Sequence, residues 1–312
     1  MIAHDGKGSW RPISIFNKLL RTLSWVRIVI LSASVLFLGK ILGKWVWPDQ
    51  VNLRYVAAGL GAIVLLKLIS DLPAGYGRAH KLLKNKGRWS DAFIAFLPLE
   101  IGALIKLDRS LANGFYGWVR RVEIPPPKHT GDKISFWKES QYQTIFVIIL
   151  IACLADIPIT ALIAGAVQHD AERRNLIHLF ILAVTCYALV WILGDRWLVK
   201  ASYHVLTDKY FHLSVGSRYS ADIPLSRIFS AKVLSETPEE WRKKFGVDQR
   251  DISVVCPISA DRPNLLLELS DGPEIPIEKF KLMTSAPRYL LVFVDQPALV
   301  SQTISCSLSD YN

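Results

Sequence analysis

Acidic residues are scarce over the first two-thirds of this chain, and the usual motifs of chemistry are missing throughout. Residues 1–199 hold 13 Asp and Glu against 24 Lys and Arg, whereas residues 200–312 hold 14 against 13. The net charge of +10 therefore arises entirely in the first part. A nucleic-acid binder carries its positive charge on a folded basic face. Here the segment that reads as a soluble domain is close to neutral, which argues against nucleic acid. Cysteine is sparse: Cys153, Cys186, Cys256 and Cys306 form no CxxC and no close Cys/His pair, so neither a structural zinc ribbon nor any other metal is expected. No GxSxG, HExxH, Walker lysine loop or glycine-rich dinucleotide fingerprint occurs, so a non-enzymatic protein without a cofactor is expected. Charge is low overall, at 21% of 312 residues, against 51% hydrophobic residues. That composition excludes disorder, a collagen-like fibre and a disulfide-stapled scaffold, and it requires the apolar excess to be concentrated somewhere.

It is concentrated in four runs. Arg27 to Trp47, Leu53 to Leu72, Thr144 to Val167 and Ile177 to Leu193 each approach the ~20 residues that cross a ~30 Å hydrocarbon core. Trp25, Trp45 and Trp47 bracket the first run as an interfacial belt would, and Asp195-Arg196-Trp197 anchors the end of the fourth. Gly59 and Gly61, among Ala57, Ala58 and Ala62, give the second run a small-residue face for close helix packing, within the bundle or in self-association. Gln168 to Asn175 is the only link between runs three and four, so these form an antiparallel hairpin.

Twelve Lys and Arg lie between Leu72 and Gln143, and four more lie before residue 22, but the two short opposite loops hold few. The positive-inside rule then puts both termini in the cytoplasm, with the basic segments against anionic headgroups. In that reducing compartment no Cys256–Cys306 disulfide is expected. Ala92 to Leu107 is apolar but only about 16 residues long, with Pro98 and Glu100 at its centre, so it reads as an interfacial, re-entrant or packed helix rather than a span. The expected organisation is a tail over 1–26, spans 1–2 over 27–72, a basic segment with interfacial helices over 73–143, spans 3–4 over 144–199, and a β domain over 200–312.

From residue 201 the pattern shortens. Tyr203–Thr207, Tyr210–Val215, Ile228–Leu234, Ile252–Cys256, Leu265–Leu269 and Tyr289–Val294 read as strands, separated by turns such as Asp261-Arg-Pro263 and Asp271-Gly-Pro273. Glu236–Phe245 reads as a helical insertion, and a final helix to about Ser307 should bury Leu299, Val300 and Ile304. The fold class is thus four transmembrane helices plus a small β-sandwich or barrel capped by a helix. Tyr203-His-Val-Leu-Thr-Asp-Lys-Tyr-Phe-His-Leu-Ser-Val-Gly216, followed by Ala221-Asp-Ile-Pro-Leu-Ser-Arg-Ile228, resembles the opening of bacterial pleckstrin-homology-like (PH-like) domains. The whole chain is similar to bacterial multi-span inner-membrane proteins of uncharacterised function. The PH-like resemblance covers about residues 200–308, and neither resemblance implies a catalytic residue. Nor does the PH-like one imply phosphoinositide binding, since only Lys209 and Arg218 occur near the first two strands.

Asp156 is the candidate functional residue within the spans. It sits mid-run in Cys153-Leu-Ala-Asp-Ile-Pro-Ile159, where an ionised acid costs at least ~2.5–3.5 kcal/mol and should face the bundle or water. Pro158 removes a backbone donor beside it. The acid either fixes packing, bonded to Thr160, Thr185 or Tyr187, or serves an ion pathway. His169, Asp170 and Glu172 match no metal-ligand spacing and read as a solvated loop, and His204 and His212 read as packing residues on strands. Two functions are expected on these grounds. The first is a membrane protein whose cytoplasmic β domain engages a protein partner or the lipid surface. The alternative is a small transporter or ion-coupled sensor using Asp156.

Overall fold

The computed structural model describes residues 24–25, 28, 32, 34, 53–122, 129–167 and 170–309. Elements are numbered among these residues. Three helices are long and apolar enough to cross a membrane: α1 (Leu53–Lys84), α4 (Tyr142–Val167) and α5 (Ala171–Lys200). They cover the second, third and fourth apolar runs. The first run, Arg27 to Trp47, and His169 of the outer loop lie outside the described residues, save isolated positions in that run. Helix α5 begins earlier than its apolar pattern suggests, because Asp170 caps it by accepting from the Glu172 amide at 3.0 Å.

The chain divides into two compact units, Met1–Ile105 and Lys106–Asn312. In the first, α1 runs on through Pro73 and is followed by α2 (Trp89–Phe96). The apolar segment Ala92–Leu107 is broken at Pro98, as proline dictates, into α2 and the start of α3 (Leu99–Arg120). Arg78 of α1 donates to the carbonyls of Ala95 and Leu97 at the break, both at 3.0 Å. Lys67 is almost fully buried and pairs with Asp71 at 3.1 Å, which also accepts from the Trp25 indole at 2.8 Å. A span tolerates that lysine because its charge is matched one turn away.

The second unit holds the α4–α5 hairpin and ten strands in two open sheets. One has the order β1 (Asp132–Ile134), β2 (His204–Leu206), β3 (Tyr210–Val215), β4 (Tyr219–Pro224), β8 (Pro276–Lys279), β9 (Leu282–Ser285). The other has the order β5 (Ile228–Val233), β7 (Leu265–Leu269), β10 (Tyr289–Val292), β6 (Ile252–Val255), with β10 and β6 parallel. Strand β1, contributed by residues ahead of the hairpin, had no pattern in the sequence to mark it.

Burial explains the composition of each strand. In β4 alternate residues Tyr219, Ala221 and Ile223 are buried and Ser220 and Asp222 exposed, the period-two signature of one covered face. In β7 and β10 the apolar run is continuous because both faces are covered. Leu265, Leu267, Leu290 and Val292 join the main core, and Leu266 and Leu291 pack on Trp241 of α6 (Pro238–Phe245). Helix α6 starts with a Thr237/Glu240 capping box and stops at Gly246, at φ +63°. The last helix, α7 (Pro297–Ser309), buries Val300 and Ile304 as expected, but Leu299 is 58% exposed because it lies off the inward stripe. No disulfide joins the cysteines.

Candidate functional site

The second unit carries an open-sided cavity of about 390 Å³ where the β-domain end of the helical hairpin meets the strand turns. Helix α4 is started by the β domain itself. Asp261, in the Asp-Arg-Pro turn, accepts from the Gln141 amide at 2.8 Å and the Ser140 hydroxyl at 2.6 Å, and the Ser140 oxygen accepts from the Tyr142 amide. A carboxylate there also suits the positive end of the helix dipole. Asp295, in the Asp295-Gln-Pro297 turn that leads into α7, accepts from the amides of Lys138 and Glu139. At the end of α5, the β3–β4 turn presses close: Gly216 at φ +52° donates its amide to the Ser202 hydroxyl, and a Cβ there would meet Val199.

That turn delivers Arg218 to Asp195. The guanidinium donates to Asp195 through Nε at 3.1 Å and Nη2 at 2.5 Å, and through Nη1 to the Pro257 carbonyl. Asp195 Oδ2 also accepts from the Tyr142 hydroxyl at 2.6 Å, so one carboxylate ties α4, α5 and the sheet together. Side-chain exposures of 26% and 15% make this a largely buried pair. Burial alone would lower the Arg218 pKa, but the Asp195 hydrogen bonds and charge outweigh it and hold the cation firmly ionised.

The rest of the wall is apolar. Ile145, Phe146 and Ile149 come from α4, Trp191 and Ile192 from α5, and Leu107 and Leu111 from α3. Helix α3 is held against α5 by Asp108, which accepts from Tyr187 Oη at 2.5 Å and Trp191 Nε1 at 2.7 Å. The two helices touch backbone to backbone where Gly114 faces Gly194. Phe280, at the tip of the β8–β9 hairpin, closes one side of the cavity. Ser217 is the other polar group, and its buried hydroxyl has no hydrogen-bond partner among the described residues. An apolar cavity with a few convergent polar groups is the geometry of a small-molecule or lipid site. The nearby Cys256 thiol is pushed up to about 12, first by burial and then by Asp261, and so stays protonated and unreactive at neutral pH.

The sequence candidates lie elsewhere. Asp156 and Pro158 are exposed on the apolar outer surface of α4. The Thr160 hydroxyl bonds the Asp156 backbone carbonyl at 2.6 Å, not its carboxylate, and Tyr187 is engaged with Asp108. Gly59 and Gly61 face open space among the described residues. Asp195 was legible only as an interfacial anchor, and Arg218 only as one of two basic residues near the first strands. The residues are 23 apart and no local pattern announces their pairing. One group with metal-ligating side chains, His129, His212 and Asp222, lies outside this cavity. No protein-family model, curated protein or solved structure matches the chain.

Proposed function

We propose that the protein is a non-catalytic inner-membrane protein of a bacterium, with its termini in the cytoplasm. Its PH-like β domain is held against the membrane surface and takes a phospholipid into the Arg218–Asp195 cavity. The supporting observation is the position of that cavity. Its walls are the first two turns of α4 and the last turns of the apolar part of α5, the level at which hydrocarbon gives way to headgroups. An occupant there meets aliphatic side chains along one end and Ser217, Arg218 and Asp195 at the other, the polarity of an amphipathic lipid. The β8–β9 tip supports the same pose: Phe280 (48% exposed) and Met283 (60%) are flanked by Lys279 and Lys281, the composition of a loop that dips into an interface rich in anionic headgroups. An excess of basic residues in the 72–143 segment supports the cytoplasmic orientation.

Native mass spectrometry of the full chain released from lipid nanodiscs tests this reading. One phospholipid should stay on the wild-type chain, and Ile149→Trp, which fills the cavity, should abolish its retention. Equal retention by both would overturn it. A protein partner that co-purifies with the chain and is lost on deleting residues 200–312, with no retained lipid, would move the reading to protein–protein contact.

The transporter or sensor reading rests on Asp156, whose carboxylate has no hydrogen bond or ion pair among the described residues. A carboxylate in an apolar helix calls for water, a proton or another helix beside it. If Asp156→Asn and Asp156→Ala leave ion-linked growth unchanged at wild-type protein levels, that reading falls.

A further inference from the structure

A second group of side chains is assembled on the sheet and is independent of the lipid reading. His212 on β3 and Asp222 on β4 are directly opposed in register, and His212 Nδ1 lies 2.7 Å from Asp222 Oδ1. His129, on the connection between α3 and β1, lays its ring on that of His212, with centroids 3.4 Å apart and planes within 7°. One ligand atom from each of the three residues lies within 4.8 Å of the others. His212 is 6% exposed, and its Nε2 is buried with no hydrogen-bond partner among the described residues. The group opens onto a cavity of about 520 Å³, whose wall also includes Asp208, Lys209 and Tyr210.

A cross-strand His–Asp hydrogen bond accounts for the first contact. It does not account for a third ligating side chain, the exposed His129, brought within reach of both. Nε2 lies on the opposite edge of the His212 ring from Nδ1, so an ion shared with Asp222 binds through Nδ1. Two imidazoles and one carboxylate suit a first-row divalent ion of zinc's class, whereas magnesium and calcium take oxygen ligands.

We propose that His129, His212 and Asp222 are the protein ligands of a divalent transition-metal ion, with the remaining coordination position open to the adjoining cavity. Bonds of ~2.0–2.2 Å set tetrahedral ligands roughly 3.4 Å apart, so binding opens the 2.7 Å contact between His212 Nδ1 and Asp222 Oδ1 and turns the His129 ring out of its stack until a ring nitrogen faces the ion. His129 and Asp222 are exposed, and His129 belongs to a connection, so those side chains make the adjustment. The ion then ties His129, just ahead of β1, to strands β3 and β4.

The test uses the full chain without a polyhistidine tag, in detergent, stripped with EDTA and titrated with Co²⁺. One equivalent should bind with the visible absorption of a four-coordinate site, and Zn²⁺ should displace it. His129→Ala and Asp222→Asn should each weaken binding by at least about tenfold, whereas His178→Ala should not. His129 is exposed and Asp222→Asn keeps its shape, so both variants should fold. His129→Cys should restore binding and add a thiolate-to-cobalt band in the near ultraviolet, a signal that a packing role cannot produce. Absence of a stoichiometric Co²⁺ spectrum in the wild type, or the same affinity in His129→Ala and Asp222→Asn as in the wild type, would overturn the proposal.

Discussion

Replacing Asp195 by alanine removes the acceptor of three hydrogen bonds at once, from Tyr142 Oη and from Nε and Nη2 of Arg218. The guanidinium is left largely buried, with the Pro257 carbonyl as its remaining direct acceptor. Breaking a buried pair from one side costs ~3–5 kcal/mol because the surviving charge is uncompensated. With about a quarter of the Arg218 side chain exposed, the lower part of that range applies, about 3 kcal/mol. Tyr142→Phe removes one bond to a charged group, which bounds its cost at ~1.5–3 kcal/mol; Arg218 continues to satisfy the carboxylate, so the lower end is expected. The double variant Asp195→Leu with Arg218→Met leaves no orphaned charge. It should be markedly more stable than the sum of the two single losses, because the desolvation cost of the pair disappears with it. Pulse proteolysis of the full chain in nanodiscs, over a urea series, measures the folded fraction for the wild type, Asp195→Ala, Tyr142→Phe, the double variant and its two single components, Asp195→Leu and Arg218→Met. The reasoning fails if Asp195→Ala loses less than about 1 kcal/mol, or if the double variant loses the sum of the singles.

Three further outcomes are expected. His204 is fully buried, which pushes its pKa down to about 4 against the opposing pull of the Phe293 carbonyl and Asp295. It is neutral in the folded chain while the unfolded chain takes up a proton below about 6.5, so its contribution is complete above that pH. It falls by up to about 3 kcal/mol as pH drops to about 4; urea midpoints across this window should decline, and less steeply in His204→Phe. At the α3–α5 contact, a Cβ on Gly194 would run into the Leu111 carbonyl oxygen, so Gly194→Ala should cost ~1–3 kcal/mol or more by the same proteolysis assay. Gly59 and Gly61 face open space, so alanine there should raise helix stability by up to ~1 kcal/mol each; loss of cross-linked dimer in Gly59→Leu would instead reveal a second chain packing on that face.

How far the fold could be read depended on whether the signal was local. Residues Leu265–Leu269 were marked as a strand by their apolar run, and that strand has those bounds. The segment Glu236–Phe245 was marked as a helix with Pro238 at its start, and α6 covers Pro238–Phe245 of it. Asp132–Ile134 carried no such mark, because a three-residue strand is defined by its partner β2 and not by its own composition. The early start of α5 was hidden for a related reason: Glu172, Arg173 and Arg174 are polar, but the Asp170 cap and the helical ladder extend past the apolar stretch. The functional candidates divide in the same way. Asp156 stood out because a charge within an apolar run is visible in one dimension. Asp195 had an ordinary local explanation as an interfacial anchor, Arg218 as one of two basic residues near the first strands and His212 as a packing residue, whereas Tyr142 and His129 drew no reading.

By itself the sequence determined that this chain carries helices long and apolar enough to cross a membrane, that a β-rich domain follows them, and that positive charge gathers before the hairpin. Those properties follow from composition and period, which each segment carries whatever its neighbours do. Only the tertiary structure decided that Asp261 starts α4, that Gly114 and Gly194 let α3 and α5 touch, and that Arg218 reaches Asp195 beneath an apolar cavity. The register of β3 and β4 likewise set His212 against Asp222 under the ring of His129. Each of these depends on atoms tens of residues apart being brought within about 3–4 Å, and directional contacts at that range are set by how helices and sheets pack, which no single segment encodes.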